Sequence, residues 1–119
     1  MTHTQSIAQS GLDLKGRRIL IVDDENSMRE LLGIMLENEG FQTLNAKDGL
    51  SALEIFKSEH ESLDLVIQDL KMPGLDGVDL LRELKNLRPD IPVIVITAFS
   101  TWDNAVEAMR LGAYDYIRK

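Results

Sequence analysis

Hydrophobic residues along this chain follow two alternating patterns. The first consists of short, nearly continuous apolar runs, at residues 17–22, 41–46, 63–68, 92–97 and 113–117. The second consists of longer segments whose apolar residues recur at helical spacing, at residues 27–40, 48–60, 77–87 and 101–112. Continuous apolar runs are typical of parallel strands that helices cover on both faces. Because crossover connections are right-handed, this alternation predicts an α/β fold with a doubly wound, five-stranded parallel sheet.

Local signals predict where the helices begin and end. Ser27 and Glu30 have the spacing of a capping box, and Asp48 can cap the second helix. Gly40 and Gly112 lie where helices should end. Helical spacing also predicts that three methionines belong to the core-facing sides of helices, namely Met28, Met35 and Met109.

The two ends of the chain differ from its middle. Residues 1–16 are polar and aperiodic, and we expect them to form a flexible leader before a domain that spans residues 17–119. No helical segment follows the fifth strand, so we expect the domain to lack its last helix and to be part of a longer protein. One face of the sheet should then be half covered, and we expect this chain to self-associate, to swap elements or to lay its leader across that face.

Composition narrows the classes of function. The chain has 20 acidic and 13 basic residues and a formal charge of −7, which argues against direct contact with nucleic acid by this domain. It has no cysteine, so thiolate metal sites and disulfides are excluded. No apolar stretch is long enough to span a membrane, and no signal-peptide core is present. We therefore expect a cytoplasmic protein with no membrane partner.

Acidic residues follow two of the predicted strands. Asp23 and Asp24 follow the first strand and Asp69 follows the third, so these carboxylates meet at the carboxyl edge of the sheet if the two strands are neighbours. Carboxylates in such a cluster repel one another unless a cation or a proton is bound. Oxygen ligands alone indicate Mg²⁺ and hence phosphate chemistry. In that chemistry one carboxylate attacks a phosphoryl group, and Thr97 and Lys119, which end the fourth and fifth strands, contact its oxygens.

Four motifs lie in order on the expected elements: VDDE, QDLKMPGLDG, VIVITAF and GAYDYIRK. Together they resemble the receiver domain of two-component response regulators, over residues 17–119. The resemblance implies a flavodoxin-like sheet with strand order 2-1-3-4-5. It also implies a phosphorylation switch rather than a turnover enzyme, limited to self-phosphorylation from small donors and slow self-dephosphorylation.

The resemblance further implies a role for each residue of the site. Asp69 would be the phosphoacceptor, and the catalytic groups would be Asp69, Thr97 and Lys119. Asp24 would bind Mg²⁺ directly and Asp23 mainly through water, with Asp69 and the Lys71 backbone carbonyl completing the protein ligands. Three side chains would contact the phosphoryl group or switch with it: the hydroxyl of Thr97, the inward-turning ring of Tyr116 and the amine of Lys119. Pro73 and Gly77 would shape the loop after the acceptor.

Partners follow from the same resemblance. A sensor histidine kinase would supply the phosphoryl group, and output domains of the same chain beyond Lys119 would respond to it. A homodimer is also expected. Residues 97–119 look most like the nitrogen-regulator type of sigma-54-dependent transcriptional activator. Trp102 would begin the fourth helix, partly exposed.

Two other functions compete with this interpretation. One is a Mg²⁺-dependent phosphohydrolase with an aspartyl nucleophile, which would need a second acid near Asp69, where the sequence has Leu70 and Lys71. The other is an interaction module that is not phosphorylated. Without the rest of the set, Asp23 and Asp24 would be read as a turn and a helix cap, Thr97 as a strand residue and Tyr116 as core.

Overall fold

The computed structural model describes residues 16–98 and 102–119, except for the side chain of Trp102. The predictions for the leader and for the exposure of Trp102 therefore lie outside the described residues. The strands are β1 Arg18–Val22, β2 Gln42–Ala46, β3 Leu65–Gln68, β4 Val93–Thr97 and β5 Asp115–Arg118. The helices are α1 Asn26–Asn38, α2 Gly49–Glu59, α3 Gly77–Leu87 and α4 Trp102–Arg110. None of these helices is long and apolar enough to cross a membrane.

All five strands join one parallel sheet in the order β2-β1-β3-β4-β5. This confirms the predicted doubly wound α/β architecture and the order 2-1-3-4-5. Val22 at the end of β1 pairs with Ala46 on one side and with Gln68 on the other. Because Val22 and Gln68 are paired, the carboxyl ends of β1 and β3 are adjacent at one edge of the sheet. Within the described residues no helix follows β5.

The core has one layer on each face of the sheet. Alternate strand residues supply the two layers: Leu20 and Val22 belong to the larger and Ile19 and Ile21 to the smaller. Helices α2, α3 and α4 complete the larger layer, with Phe56 of α2 and Leu80, Leu81 and Leu84 of α3 fully buried. Burial on both faces explains why the strand sequences are continuous apolar runs.

The smaller layer is only partly covered. Leu32 and Leu36 of α1 pack on it, but the strand residues Ile94 and Ile96 are only half-buried. Ile117, which pairs with Ile96 in the sheet, is 43% exposed. This agrees with the half-covered face predicted from the sequence, and self-association through it stays a prediction.

The start of α1 differs from the prediction. Its N-cap is Glu25, which makes no side-chain capping bond, so the proposed capping box of Ser27 and Glu30 is wrong. The carboxylate of Asp23 accepts the backbone N–H of Glu25 at 2.9 Å, and this turn starts the helix before Ser27 is reached. Asp48 does cap α2, as predicted, because its Oδ1 accepts the N–H of Ser51 at 2.8 Å.

Two of the predicted core methionines are exposed. Met35 is 55% exposed on α1 and Met109 is 49% exposed on α4, while Met28 is half-buried. Met35 is exposed because the apolar stripe of α1 is wider than the side of the helix that packs on the sheet. Leu31 and Ile34 are exposed as well, at 53% and 60%.

Candidate functional site

The backbone holds the predicted site residues at one edge of the sheet. The N–H of Asp69 donates to the carbonyl of Val22 at 2.9 Å, and that of Asp23 donates to Ala46 at 3.1 Å. The N–H of Lys119 donates to the carbonyl of Thr97 at 3.0 Å. These bonds extend the sheet by one residue beyond its strands. The backbone positions from which the side chains of Asp23, Asp69 and Lys119 extend are therefore fixed by the sheet.

Three carboxylates meet at this edge, as predicted. One oxygen each from Asp23, Asp24 and Asp69 lies within 4.8 Å of the other two. Asp23 and Asp69 are only 3% and 5% exposed, whereas Asp24 is open to solvent. An all-oxygen set of this kind, with one member accessible from water, has the chemistry that a hard divalent cation requires. The residues therefore fit a metal centre of the Mg²⁺ type.

Lys119 supplies a positive charge to this cluster. Its Nζ lies 2.9 Å from Asp23 Oδ2, 2.9 Å from Asp69 Oδ2 and 2.8 Å from Glu25 Oε1. Burial by itself lowers the pKa of the lysine, but the hydrogen bonds to the three carboxylates outweigh burial and raise that pKa above its ordinary value. Lys119 is therefore charged at neutral pH and offsets part of the carboxylate repulsion.

Glu25 belongs to the site although the sequence did not predict it. Its side chain is 58% exposed, and its contact with Lys119 is the only described bond of that lysine to a carboxylate outside the three-aspartate cluster. The signal that could have found it is its position directly after Asp24 at the carboxyl edge. Its partnership with a residue at the far end of the chain could not be read from spacing.

Asp23 is in an unfavourable place for a charge. Burial raises the pKa of Asp23 above its ordinary value, and the charge of Asp69 adds to this effect. The N–H of Glu25 and the ammonium of Lys119 oppose it without cancelling it. In the metal-free protein an ionised Asp23 therefore costs stability, which is typical of residues placed for function.

Asp23→Asn should make the metal-free protein more stable at neutral pH. Because the folded state raises the pKa of this carboxyl, the folded protein holds the proton more tightly than the unfolded chain, and stability falls as pH rises through that range. Removing the charge should raise the melting temperature by a few degrees, measured by circular dichroism with a chelator present. At acidic pH, where Asp23 is protonated, the difference should disappear. A variant that is less stable at neutral pH would contradict this.

Asp69 is fixed in orientation through both of its oxygens. Oδ1 accepts the backbone N–H of Lys71 at 3.2 Å, and Oδ2 accepts from Lys119 at 2.9 Å. A carboxylate that is buried and held in this way is positioned to react without first losing side-chain freedom. The bond from Lys71 also places that residue beside the acidic cluster, while the role of its carbonyl as a metal ligand stays a prediction.

Thr97 and Tyr116 lie on the neighbouring strands. Thr97 ends β4 and is 1% exposed, so the hydroxyl predicted to switch is buried in the described state. Tyr116 pairs with Val95 and packs against the larger core layer. Burial, and after it the charge of Asp69, raises the pKa of the Tyr116 phenol. The Tyr116 ring is therefore close enough to Asp69 to feel its charge, and the switching roles of Thr97 and Tyr116 stay predictions.

The loop that follows Asp69 is closed tightly at its base. The N–H of Gly77 donates to the carbonyl of Leu70 at 3.0 Å, and Asp76 caps α3 by accepting the N–H of Val78 at 2.8 Å. A side chain on Gly77 would have its Cβ 2.4 Å from Leu70 Cα and 2.5 Å from the carbonyl oxygen of Asp69. Gly77 is therefore required by close backbone approach, as predicted for this loop.

Comparison with known proteins identifies the family. The sequence profile described as the response regulator receiver domain matches residues 19–119. Transcriptional regulatory protein ZraR from Klebsiella oxytoca is 43% identical over 101 residues, which cover 85% of this chain and 22% of ZraR. Sporulation initiation phosphotransferase F from Bacillus subtilis is 40% identical over 106 residues, covering 89% of this chain and 84% of that protein.

A solved structure is similar over nearly the whole chain. It is a chain of the CheX-CheY-BeF3-Mg+2 complex from Borrelia burgdorferi, with a TM-score of 0.85 and 27% identity. The match covers 99% of this chain and 87% of that one. The similarity therefore includes the sheet edge at which Asp23 and Asp69 lie.

Proposed function

Because the chain belongs to the response regulator receiver domain family, we propose that it accepts a phosphoryl group on Asp69 and works as a phosphorylation-controlled switch. One observation carries the choice of residue. Asp23 and Asp69 are both buried and both lie 2.9 Å from Lys119, so these features do not separate them. Asp69 alone among the three aspartates follows β3, the middle strand of the sheet.

The proposed reaction is a single transfer. A carboxylate oxygen of Asp69 attacks the phosphorus atom, the bond from phosphorus to a histidine nitrogen of a sensor kinase breaks, and its electron pair leaves with the imidazole. Lys119 donates hydrogen bonds to a phosphoryl oxygen, and the Thr97 hydroxyl donates to another. The product is an acyl phosphate on Asp69. Water then removes the phosphoryl group slowly, so the chain modifies itself and does not turn over substrates.

Asp23, Asp24, Asp69 and the carbonyl of Lys71 are the groups proposed to hold Mg²⁺. Bound there, the ion would offset negative charge on the phosphoryl oxygens during transfer. Support comes from the oxygen-only donor set and from the similar Borrelia structure, which is a complex with BeF3 and Mg²⁺. Asp24 would be the direct aspartate ligand on the solvent side, and Asp23 would act mainly through water.

The experiment that tests this function is treatment with acetyl phosphate followed by intact mass spectrometry and peptide mapping. A receiver should gain one phosphoryl group per chain, on Asp69. An aspartyl phosphohydrolase would instead release phosphate continuously from small phosphomonoesters in a steady-state assay. An interaction module would gain no mass in the presence of Mg²⁺, and that result would overturn the proposal.

We further propose that the receiver controls a sigma-54-dependent transcriptional activator of the nitrogen-regulator type. The resemblance of residues 97–119 supports this, and so does the similarity to transcriptional regulatory protein ZraR, of which this chain spans 22%. Output domains beyond Lys119, a homodimer and a cytoplasmic setting belong to the same proposal. The acidic charge of −7 supports leaving DNA contact to another domain.

Asp24→Asn is expected to weaken Mg²⁺ binding severely. Replacing a carboxylate by an amide removes one ligand charge from a hard-cation site, and affinity should fall by about a hundredfold. Isothermal titration calorimetry with MgCl₂ measures this directly. Asp90→Asn is a matched control, because Asp90 lies before β4, pairs with Arg88 and has a side chain 82% exposed. Equal affinity in the Asp24 variant would remove Asp24 from the metal site.

Thr97→Ala should leave Asp69 phosphorylatable while weakening the response. The hydroxyl is proposed to stabilise mainly the phosphorylated conformation, so its loss reduces the free-energy difference that shifts the population. The measurement pairs phosphoryl incorporation with phosphorylation-dependent dimerisation. Tyr116→Ala should uncouple the two in the same way. Full phosphoryl incorporation together with full dimerisation in either variant would contradict the proposed switching role of that residue.

A further inference from the structure

Gln68, the last residue of β3, is a deeply buried polar side chain next to the proposed acceptor. It is 1% exposed, and its neighbours Val66 and Ile67 belong to opposite core layers, which places the Gln68 side chain in the larger layer with Val66. Its complete burial is a result of the tertiary packing.

The Gln68 amide bridges both ends of the loop that follows the acceptor. Its Nε2 donates to the carbonyl of Asp69 at 3.2 Å and to the carbonyl of Gly77 at 2.8 Å. Both partners are acceptors, so only the amino group of the amide can face them, and the orientation of the side chain is determined. The Gly77 N–H bond to Leu70 closes the same loop from the backbone side.

The other end of the amide is left unsatisfied. Among the described residues, Gln68 Oε1 is a buried side-chain oxygen that has no hydrogen-bond partner. A buried acceptor without a partner costs free energy, and an apolar residue of the same shape would avoid that cost. Gln68 is therefore a poor choice for stability alone. Its two donated bonds require a different explanation, and both act on the segment that carries Lys71.

We propose that Gln68 is a positioning residue that holds the loop of residues 70–76 so that the Lys71 carbonyl faces the acidic cluster. This inference rests on the proposed function, because it assigns Lys71 to the metal site. Gln68 contacts neither the ion nor the phosphoryl group. It acts through the backbone carbonyls of Asp69 and Gly77, which lie at the two ends of the segment that contains the ligand.

The test compares Gln68→Met with the wild-type protein. Methionine has a similar length and flexibility but cannot donate. The N–H of Gly77 should exchange with solvent about tenfold faster in the variant, because the loop has lost the bonds that close it. Mg²⁺ affinity, measured by calorimetry, should fall about tenfold. The melting temperature should change by only a few degrees, because removal of the unpaired Oε1 offsets the loss of the two donated bonds. Gln42→Met, the same change on the exposed edge strand β2, should alter none of these values.

Each result bears on the proposal in one direction. Unchanged exchange at Gly77 would overturn it, and so would faster exchange with unchanged Mg²⁺ affinity, which would make Gln68 a structural residue only. If the variant does not fold, the wild-type protein decides. Its Gln68 side-chain amide protons should exchange at least about a hundredfold more slowly than those of exposed Gln42. Equal rates would overturn the proposal that Gln68 holds the loop.

Failure of the proposed function gives a different result. A wild-type protein that binds no Mg²⁺ and gains no phosphoryl group would contradict the receiver chemistry. The two exchange measurements, on the Gln68 side-chain amide and on the Gly77 N–H of the methionine variant, need no metal and could still be made. They would then show that Gln68 holds the loop, but the Lys71 carbonyl would have no metal to bind, and the positioning proposal would be overturned as well.

Discussion

Asp69→Asn is expected to abolish phosphoryl incorporation from acetyl phosphate and from a histidine kinase. An amide has no anionic oxygen to attack phosphorus, and its nitrogen cannot replace the oxygen that now accepts from Lys119. Labelling should fall below detection in intact mass spectrometry. The fold should persist, because asparagine has nearly the same shape and the backbone bond from residue 69 to Val22 is retained.

The matched control for this experiment is Asp90→Asn, the same chemical change at an exposed position outside the cluster. It should be labelled like the wild-type protein. Residual labelling of the Asp69 variant would have to be mapped by proteolysis. A phosphoryl group on Asp23, the other buried aspartate of the cluster, would show that the acceptor has been assigned to the wrong strand.

Gly77→Ala is expected to destabilise the protein strongly, because the loop has no room for the added methyl group. The new Cβ would lie 2.4 Å from Leu70 Cα, 2.5 Å from the Asp69 carbonyl oxygen and 2.6 Å from that of Leu70. All three atoms are backbone, so no side chain can rotate away. Overpacking of this kind should cost about 3 kcal/mol. For a domain of this size that corresponds to a fall in melting temperature of roughly 15 °C.

Gly33→Ala provides the control, because it adds the same methyl group to a buried glycine within α1. Its Cβ would meet nothing closer than Thr43 Oγ1 at 4.0 Å, and alanine favours a helix by about 0.5–1 kcal/mol over glycine. That variant should be as stable as the wild-type protein or more so in thermal unfolding. A Gly77 variant with the melting temperature of the wild-type protein would mean that the loop after Asp69 can rearrange at little cost. Gln68 could then not be said to hold that loop in one conformation.

The site joins two kinds of charge compensation. In the metal-free state Lys119 neutralises part of the carboxylate charge, through contacts of 2.8–2.9 Å to Glu25, Asp23 and Asp69. Asp23 nevertheless keeps a raised pKa, so compensation is incomplete. A cation bound beside Asp24 would supply what is missing. The unfavourable state of Asp23 thus gives a physical reason for the proposed binding of a metal ion at this edge of the sheet.

Much of the fold and the reactive set could be predicted because their signals are local. A strand buried on both faces must be a continuous apolar run, so residues 17–22 and 63–68 were identifiable as parallel strands. That they are neighbours followed from the strand order that the receiver resemblance implied, and the structure confirms it. A side chain directly after such a strand lies at the carboxyl edge wherever the helices pack. For that reason Asp23, Asp24 and Asp69 were predicted to cluster, and they do.

The errors and omissions lie where distant parts of the chain meet. Helical spacing showed that Met35 is on an apolar stripe, but only the placement of α1 on the sheet decided that Met35 is 55% exposed. The bond of Asp23 to the Glu25 N–H moved the start of α1, which the spacing of Ser27 could not reveal. Glu25 joins Lys119 across 94 residues, and the fully buried Gln68 reaches Gly77 across a folded loop. Periodicity and strand ends determine which direction a side chain takes from its own element, whereas its partners depend on how the elements are placed in three dimensions.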